Sequence, residues 1–144
     1  MTVQNILKVK GDLPVITVAP EATLAQAAEV LSAKRIGAVV VSTDGVTVLG
    51  ILSERDIVRE LGKRGVTCLT DPVSRVMTSK IMTCARGDRA VDVMQMMTDG
   101  RFRHMPVMED GKMVGFISIG DAVKTRLAEL NMEKEALTGM IMGN

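Results

Sequence analysis

Apolar residues along this chain follow a helical period, then a strand period, and the whole succession runs through a second time. Positions 2–10 carry a short helical pattern that Gly11-Asp12-Leu13-Pro14 breaks. Val15-Ile16-Thr17-Val18 is extended and ends at Pro20. Leu24, Ala27, Ala28 and Leu31 then fall on one helical stripe, and Thr23 with Gln26 three residues on makes a capping box at its start. Lys34 and Arg35 stand near the end of this helix, where positive charge suits its dipole, and Gly37 closes it. Ala38-Val39-Val40-Val41 is an unbroken apolar run of strand length. Thr43-Asp44-Gly45 supplies a turn, 46–52 a return strand, and 53–61 a second helix that Gly62 closes.

The second round follows a linker, 63–79, that includes a short helical piece at 72–77. Ile81-Met82-Thr83-Cys84 matches the extended opening segment, and Asp88 is placed to cap a helix with Val91, Met94 and Thr98 on one stripe. Met105-Pro106-Val107-Met108 is the strand, Asp110-Gly111 the turn, and 113–117 the return strand before a last helix that starts at Ser118. Gly50-Ile51-Leu52-Ser53-Glu54-Arg55-Asp56 thus returns as Gly115-Phe116-Ile117-Ser118-Ile119-Gly120-Asp121, 65 residues later (115 − 50). The first helices align at an offset of 67 (Leu24 to Val91), which puts two extra residues in the first hairpin. A repeat of this size predicts two copies of one α/β supersecondary unit packed together, 13–62 and 80–126, with a cleft between them. The tail, 127–144, is amphipathic through Met132, Ala136, Met140 and Ile141, a stripe that suits the body of the protein or a partner chain.

Composition narrows the classes of function. Phe102 and Phe116 are the only aromatics among 144 residues, so the twelve Met and the aliphatics must fill the core, and no stacking surface for single-stranded nucleic acid is available. A net charge of +1 argues against a general nucleic-acid binder. No apolar run approaches the roughly 20 residues of a membrane span, and the amino terminus lacks a signal-peptide pattern. Cys68 and Cys84 have no CxxC spacing and read as buried free thiols of a reducing, cytoplasmic compartment. Met94, Met96 and Met97 sit at helical spacing and read as core rather than as a metal site.

Catalytic constellations are mostly missing. His104 is the single histidine, so no multi-His metal site or His-centred triad can be assembled, and Gly111-Lys112 lacks the rest of a phosphate loop. The chain is read as a non-enzyme with no catalytic cofactor and no metal. What remains is the twice-used Gly-h-h-Ser-x-x-Asp, where h is apolar. Ser-x-x-Asp is a helix capping box in its own right. A helix N-terminus facing a cleft is also an anion site, and a carboxylate beside it can accept both hydrogen bonds of a vicinal diol.

These residues resemble a tandem pair of cystathionine β-synthase (CBS) domains, or Bateman module. The resemblance runs from about Leu13 to Arg126 and is most specific in Val48 through Asp56, in Arg103-His104-Met105-Pro106-Val107 and in Met113 through Ser118. It implies two βαββα-type repeats related by a pseudo-twofold axis, small sheets flanked by helices, and an adenosine-containing ligand (AMP, ATP or NAD(H)) in the cleft. It further implies a homodimer that signals energy or redox state to an unidentified regulated protein, with no nucleic-acid or membrane partner. By the motif, Asp56 and Asp121 would hold ribose diols, and Ser53 and Ser118 would contact phosphate or ribose. Thr17, Thr83 and the backbone of Gly37-Ala38 and Met105-Pro106 would line adenine pockets, with Ile16, Ile36 and Met82 against the base. Arg101, Arg103 and His104 precede the second copy's strand, and Ile36 and Gly37 stand at the positions of Arg103 and His104 in the first. Arg103 and His104 would therefore serve a phosphate, with Arg55 or Arg86 adding to it, and the two sites would be unequal. The alternative is a ligand-free dimerisation module whose Ser-x-x-Asp motifs are caps only.

Overall fold

Hydroxyl side chains open three of the helices. Thr23 Oγ1 accepts the Gln26 amide at 3.1 Å and Gln26 Oε1 accepts the Thr23 amide at 3.0 Å, starting helix α2 (Leu24–Lys34). Ser53 opens α3 (Glu54–Arg64) and Ser118 opens α5 (Ile119–Ile141) in the same way. Helix α4 (Ala90–Gly100) departs from expectation. Its cap residue is Arg89, without a side-chain bond, and Asp88 accepts the Ala85 amide at 2.9 Å instead. The buried stripe of α4 is Ala90, Val93 and Met97, one residue out of phase with the expected one, and Val91 is exposed. Helix α3 passes through Gly62 and ends at Gly65, whose φ of +70° is the left-handed value glycine favours. The computed structural model describes residues 1–11 and 13–141; Asp12 of the expected chain break and 142–144 of the expected tail lie outside them.

Strand β1 (Thr17–Val18) pairs parallel with β2 (Ala38–Val41), which pairs antiparallel with β3 (Gly50–Ser53). In the second copy β4 (His104–Glu109) and β5 (Lys112–Ser118) form the hairpin, and Cys84 makes a single parallel bridge to Val107 where β1 would stand. Asp110 and Gly111 both have positive φ, the two-residue turn whose twist matches the strands. The first hairpin is different. Asp44 gathers the Val46 and Thr47 amides and the Thr47 hydroxyl at 2.7–2.9 Å, so 42–49 is a loop and the expected return strand 46–52 shortens to β3. Those hydrogen bonds hold the Asp44 carboxyl well below its ordinary range.

The duplication has a cleaner register in space than in sequence. Arg35 and Arg101 both close their helices in the left-handed conformation, and Ala38 and His104 both start strands, each pair 66 apart (101 − 35; 104 − 38). From Ser53 to Ser118 the offset is 65, so the first hairpin is longer by one residue, not two. Gly37 therefore corresponds to Arg103 and Ala38 to His104, which corrects the expected pairing of Ile36 and Gly37 with those residues.

A second equivalence is absent from the sequence reading. Helix α1 (Val3–Lys10) packs on the second copy: Val3 and Ile6, fully buried, join Val93, Met105 and Ile117. The 3₁₀ turn Val73–Arg75 in the linker packs on the first, burying Val73 with Leu24, Val39 and Leu52. Their backbone bonds correspond: Ala90 N donates to Met1 O as Leu24 N does to Asp71 O, and Val3 N to Asp88 O as Val73 N does to Ala22 O. The offset is 70 (73 − 3), which pairs Leu7 with Met77 and Lys10 with Lys80. The motif glycines confirm it. A Cβ on Gly50 would lie 2.6 Å from Met77 Sδ and 2.9 Å from Thr78 O, and one on Gly115 would lie 2.6 Å from Leu7 Cδ2. The chain is thus a mixed α/β protein of two βαββα-type repeats, small sheets flanked by helices, and each repeat is completed by a segment that stands just before the other repeat in sequence.

A candidate ligand site between the repeats

Each repeat ends its sheet at a Ser-x-x-Asp turn, and both turns face inward. Asp56 Oδ2 accepts the Ser53 amide at 2.9 Å, and its Oδ1 accepts from Arg59 Nη1 at 3.0 Å. Asp121 Oδ2 accepts the Ser118 amide at 2.9 Å and lies 2.9 Å from Lys10 Nζ. The Asp56 side chain is 9% exposed and the Asp121 side chain 24%, so the second carboxylate is the more open. Burial pushes the Asp121 carboxyl up, but the Lys10 bond and the Ser118 amide outweigh it and hold it below its usual range.

Two clefts flank these turns. One, of about 630 Å³, is lined by Ser53, Arg55 and Asp56 of the first repeat and by Met82, Arg101, Arg103 and His104 of the second. The other, of about 820 Å³, sets Ser118 and Asp121 against Ile16, Ile36, Gly37 and Ala38, with Arg86 beside them. Each cleft therefore combines the acidic turn of one repeat with the opening segment and strand start of the other. Arg55 shares a cleft with Arg103, whereas Arg86 lies in the other one, fastened to Gln4 Oε1 at 2.9 Å. Thr17, Thr83, Met105 and Pro106 lie outside the walls of both clefts: Met105 and Pro106 are buried, Met105 in the second core, and Thr83 is exposed on the surface.

His104, Gly37 and Ser118 line both clefts and form the wall between them. The His104 ring stacks on Phe116, with centroids 5.5 Å apart and planes 20° from parallel. Burial, and then the positive charge of Lys10, hold the imidazole below its ordinary pKa of 6.5. His104 is therefore a partition between the clefts whose imidazole is held toward its neutral form, in which a ring N–H can still donate to a ligand oxygen. The folded chain refuses a proton that the unfolded chain accepts, so stability should fall as pH drops below the ordinary imidazole value and level off beneath the depressed one. Denaturant unfolding at about pH 7.5 and about pH 5.5 reads this, and His104→Gln should show the smaller loss. An equal loss in both proteins would mean that His104 does not carry it.

Sequence reasoning missed several cations. Lys80 and Arg59 line the Asp56 cleft, and Lys10, Lys34 and Arg35 line the Asp121 cleft. Among the described residues the first cleft has five Lys or Arg against two carboxylates, and the second four against one. Half of the chain's 18 Lys and Arg line the two clefts, with three of its 17 acids, although the net charge is only +1. The 70-residue offset between Val3…Lys10 and Val73…Lys80 was the available signal for two of them.

No helix among the described residues is long and apolar enough to cross a membrane, and the same residues hold no cluster suited to a metal ion. The model of the CBS domain family matches residues 9–63 and 73–128. The CBS domain-containing protein CBSX3, mitochondrial, of Arabidopsis thaliana is 32% identical across 99% of this chain and 72% of its own length. Some larger plant relatives are matched along only 22% of their length. The CBS-domain containing protein ATU1752 from Agrobacterium tumefaciens superposes with a TM-score of 0.83 at 43% identity, covering 88% of this chain and 99% of that one. The CBS domain protein PAE2072 from Pyrobaculum aerophilum, solved complexed with AMP, gives 0.73 at 27% identity over 84% and 89%. With two matched copies and the tandem architecture in place, this chain belongs to the CBS domain family and carries a CBS-domain pair.

Proposed function

We propose that the chain is a regulatory module that binds an adenine nucleotide (AMP, ATP or NAD(H)) between its repeats and signals occupancy through a homodimer. The observation that carries this reading is the crossed pairing within each cleft. A carboxylate that can accept a ribose diol faces apolar side chains of the other repeat, with an excess of cations around them. The Pyrobaculum aerophilum relative complexed with AMP supports the ligand class. In this reading Asp56 and Asp121 hold ribose, Ile16, Ile36 and Met82 pack on the base, and Arg55, Arg101, Arg103 and Arg86 serve phosphate. No step of catalysis is assigned.

Both Ser-x-x-Asp turns are complete capping boxes, which favours the second reading, a dimerisation module without a ligand. Capping alone leaves the concentration of cations without a cause. Thermal unfolding of nucleotide-stripped protein against AMP, ADP, ATP, NAD, NADH and S-adenosylmethionine separates the two. A ligand at about 100 times its dissociation constant should stabilise by about 2.7 kcal/mol, and silence across the panel would leave the capping reading.

For the dimer, helix α5 exposes Val123, Leu127, Leu130, Leu137 and Ile141. Their spacings of 4, 3, 7 and 4 residues follow a heptad seam, with Lys134 at the skipped position. A second copy of the chain is the natural cover, and sedimentation should give a dimer that Leu127→Glu with Leu130→Glu turns into a monomer. An unchanged dimer would place the interface elsewhere. Buried, unpaired Cys68 and Cys84, the latter pushed up to about 12 by burial, suit the reducing cytoplasm.

A further inference from the structure

The carboxylate assigned to the ribose in the second cleft is already engaged. Lys10 Nζ donates to Asp121 Oδ2 at 2.9 Å and to the Phe116 carbonyl at 2.6 Å. Lys10 is not a loose surface side chain. It stands in the last turn of α1, whose Val3 and Ile6 are fully buried and whose Gln4 is held by both the backbone and the side chain of its neighbours at Arg86. Its internal counterpart, Lys80, lines the other cleft, where Asp56 is paired by Arg59 from its own helix.

The bonds from Lys10 and from the Ser118 amide both fall on Asp121 Oδ2, so a vicinal diol that donates one hydroxyl to each carboxylate oxygen finds Oδ1 free and competes with the ammonium at Oδ2. The displaced charge then stands in a cleft with Lys34, Arg35 and Arg86. A ligand phosphate relieves it, because the flexible lysine stem can carry the ammonium from carboxylate to phosphate. A neutral nucleoside leaves it unpaired among like charges, and a cationic sulfonium adds to the repulsion. We propose that Lys10 is the specificity residue of the Asp121 cleft, which it restricts to phosphorylated adenosine ligands by holding Asp121 until a phosphate replaces it. This rests on the adenosine reading of the cleft.

The test is calorimetric titration of AMP and of adenosine into stripped Asp56→Ala protein, so that the Asp121 cleft is read, with and without Lys10→Met. The parent should prefer AMP, and Lys10→Met should weaken AMP and tighten adenosine, reducing their affinity ratio by about 10- to 100-fold. Lys10→Arg, which keeps the charge, should retain most of the ratio and guards against a folding artefact. A ratio that Lys10→Met leaves unchanged, or equal losses for both ligands, overturns the Lys10 assignment alone. Failure of the parent to bind AMP at all overturns the adenosine reading of this cleft and the Lys10 assignment with it.

Discussion

Replacing Ile6 by alanine should destabilise the protein by about 2–5 kcal/mol, the range for truncating a large aliphatic side chain in a packed core. An eight-residue helix at the start of a chain would ordinarily be dispensable, since so short a helix does not hold together in water by itself. Here its stability comes from docking. Ile6 is 0% exposed within the cluster that includes Val93, Met105 and Ile117, and Gly115 makes room for Leu7 beside β5. Val9→Ala, on the exposed side of the same helix, should change stability by no more than about 0.5 kcal/mol. Urea unfolding of the three proteins measures both. If Ile6→Ala costs no more than Val9→Ala, the helix is detachable, and Lys10 has no firm base from which to reach Asp121.

Asp121→Ala should weaken AMP binding by about 1.5–3 kcal/mol, the range for hydrogen bonds to a charged group. The same change removes the carboxylate that closes the first turn of α5, so folding should lose about 0.5–2 kcal/mol as well. The two effects separate by titrating ligand well below the melting range. Equal affinity in wild type and Asp121→Ala would remove the ribose role and leave the motif as a cap.

Much of this arrangement is legible in the chain. The Gly-h-h-Ser-x-x-Asp repeat names both turns, because the chemistry of a cap is local and needs only residues three apart. Thr23 with Gln26 was legible for the same reason. Helix ends were harder, since several residues compete to close them. Gly37 and Gly62 were the obvious terminators, yet Arg35 and Arg101 adopt the left-handed cap themselves and α3 runs on to Gly65. Misplacing the cap shifted the register of the repeat, and Arg103 and His104 were compared with the wrong residues. The role of the lead-in left only a faint trace in the sequence. Positions 2–10 and 72–80 share only Val3/Val73 and Lys10/Lys80, and what relates them is the groove each fills. His104 shows the remaining gap: its residue type leaves the charge open, and burial beside Phe116, followed by the positive charge of Lys10, is what lowers its pKa.

In the proposed function the two crossed clefts bind an adenosine phosphate through Asp56 and Asp121. Calorimetric titration of AMP into stripped wild type and into the Asp56→Ala/Asp121→Ala double variant tests it most directly. Saturable binding by the wild type that the folded double variant loses is the predicted result. No binding by the wild type, or binding that survives in the double variant, would contradict it.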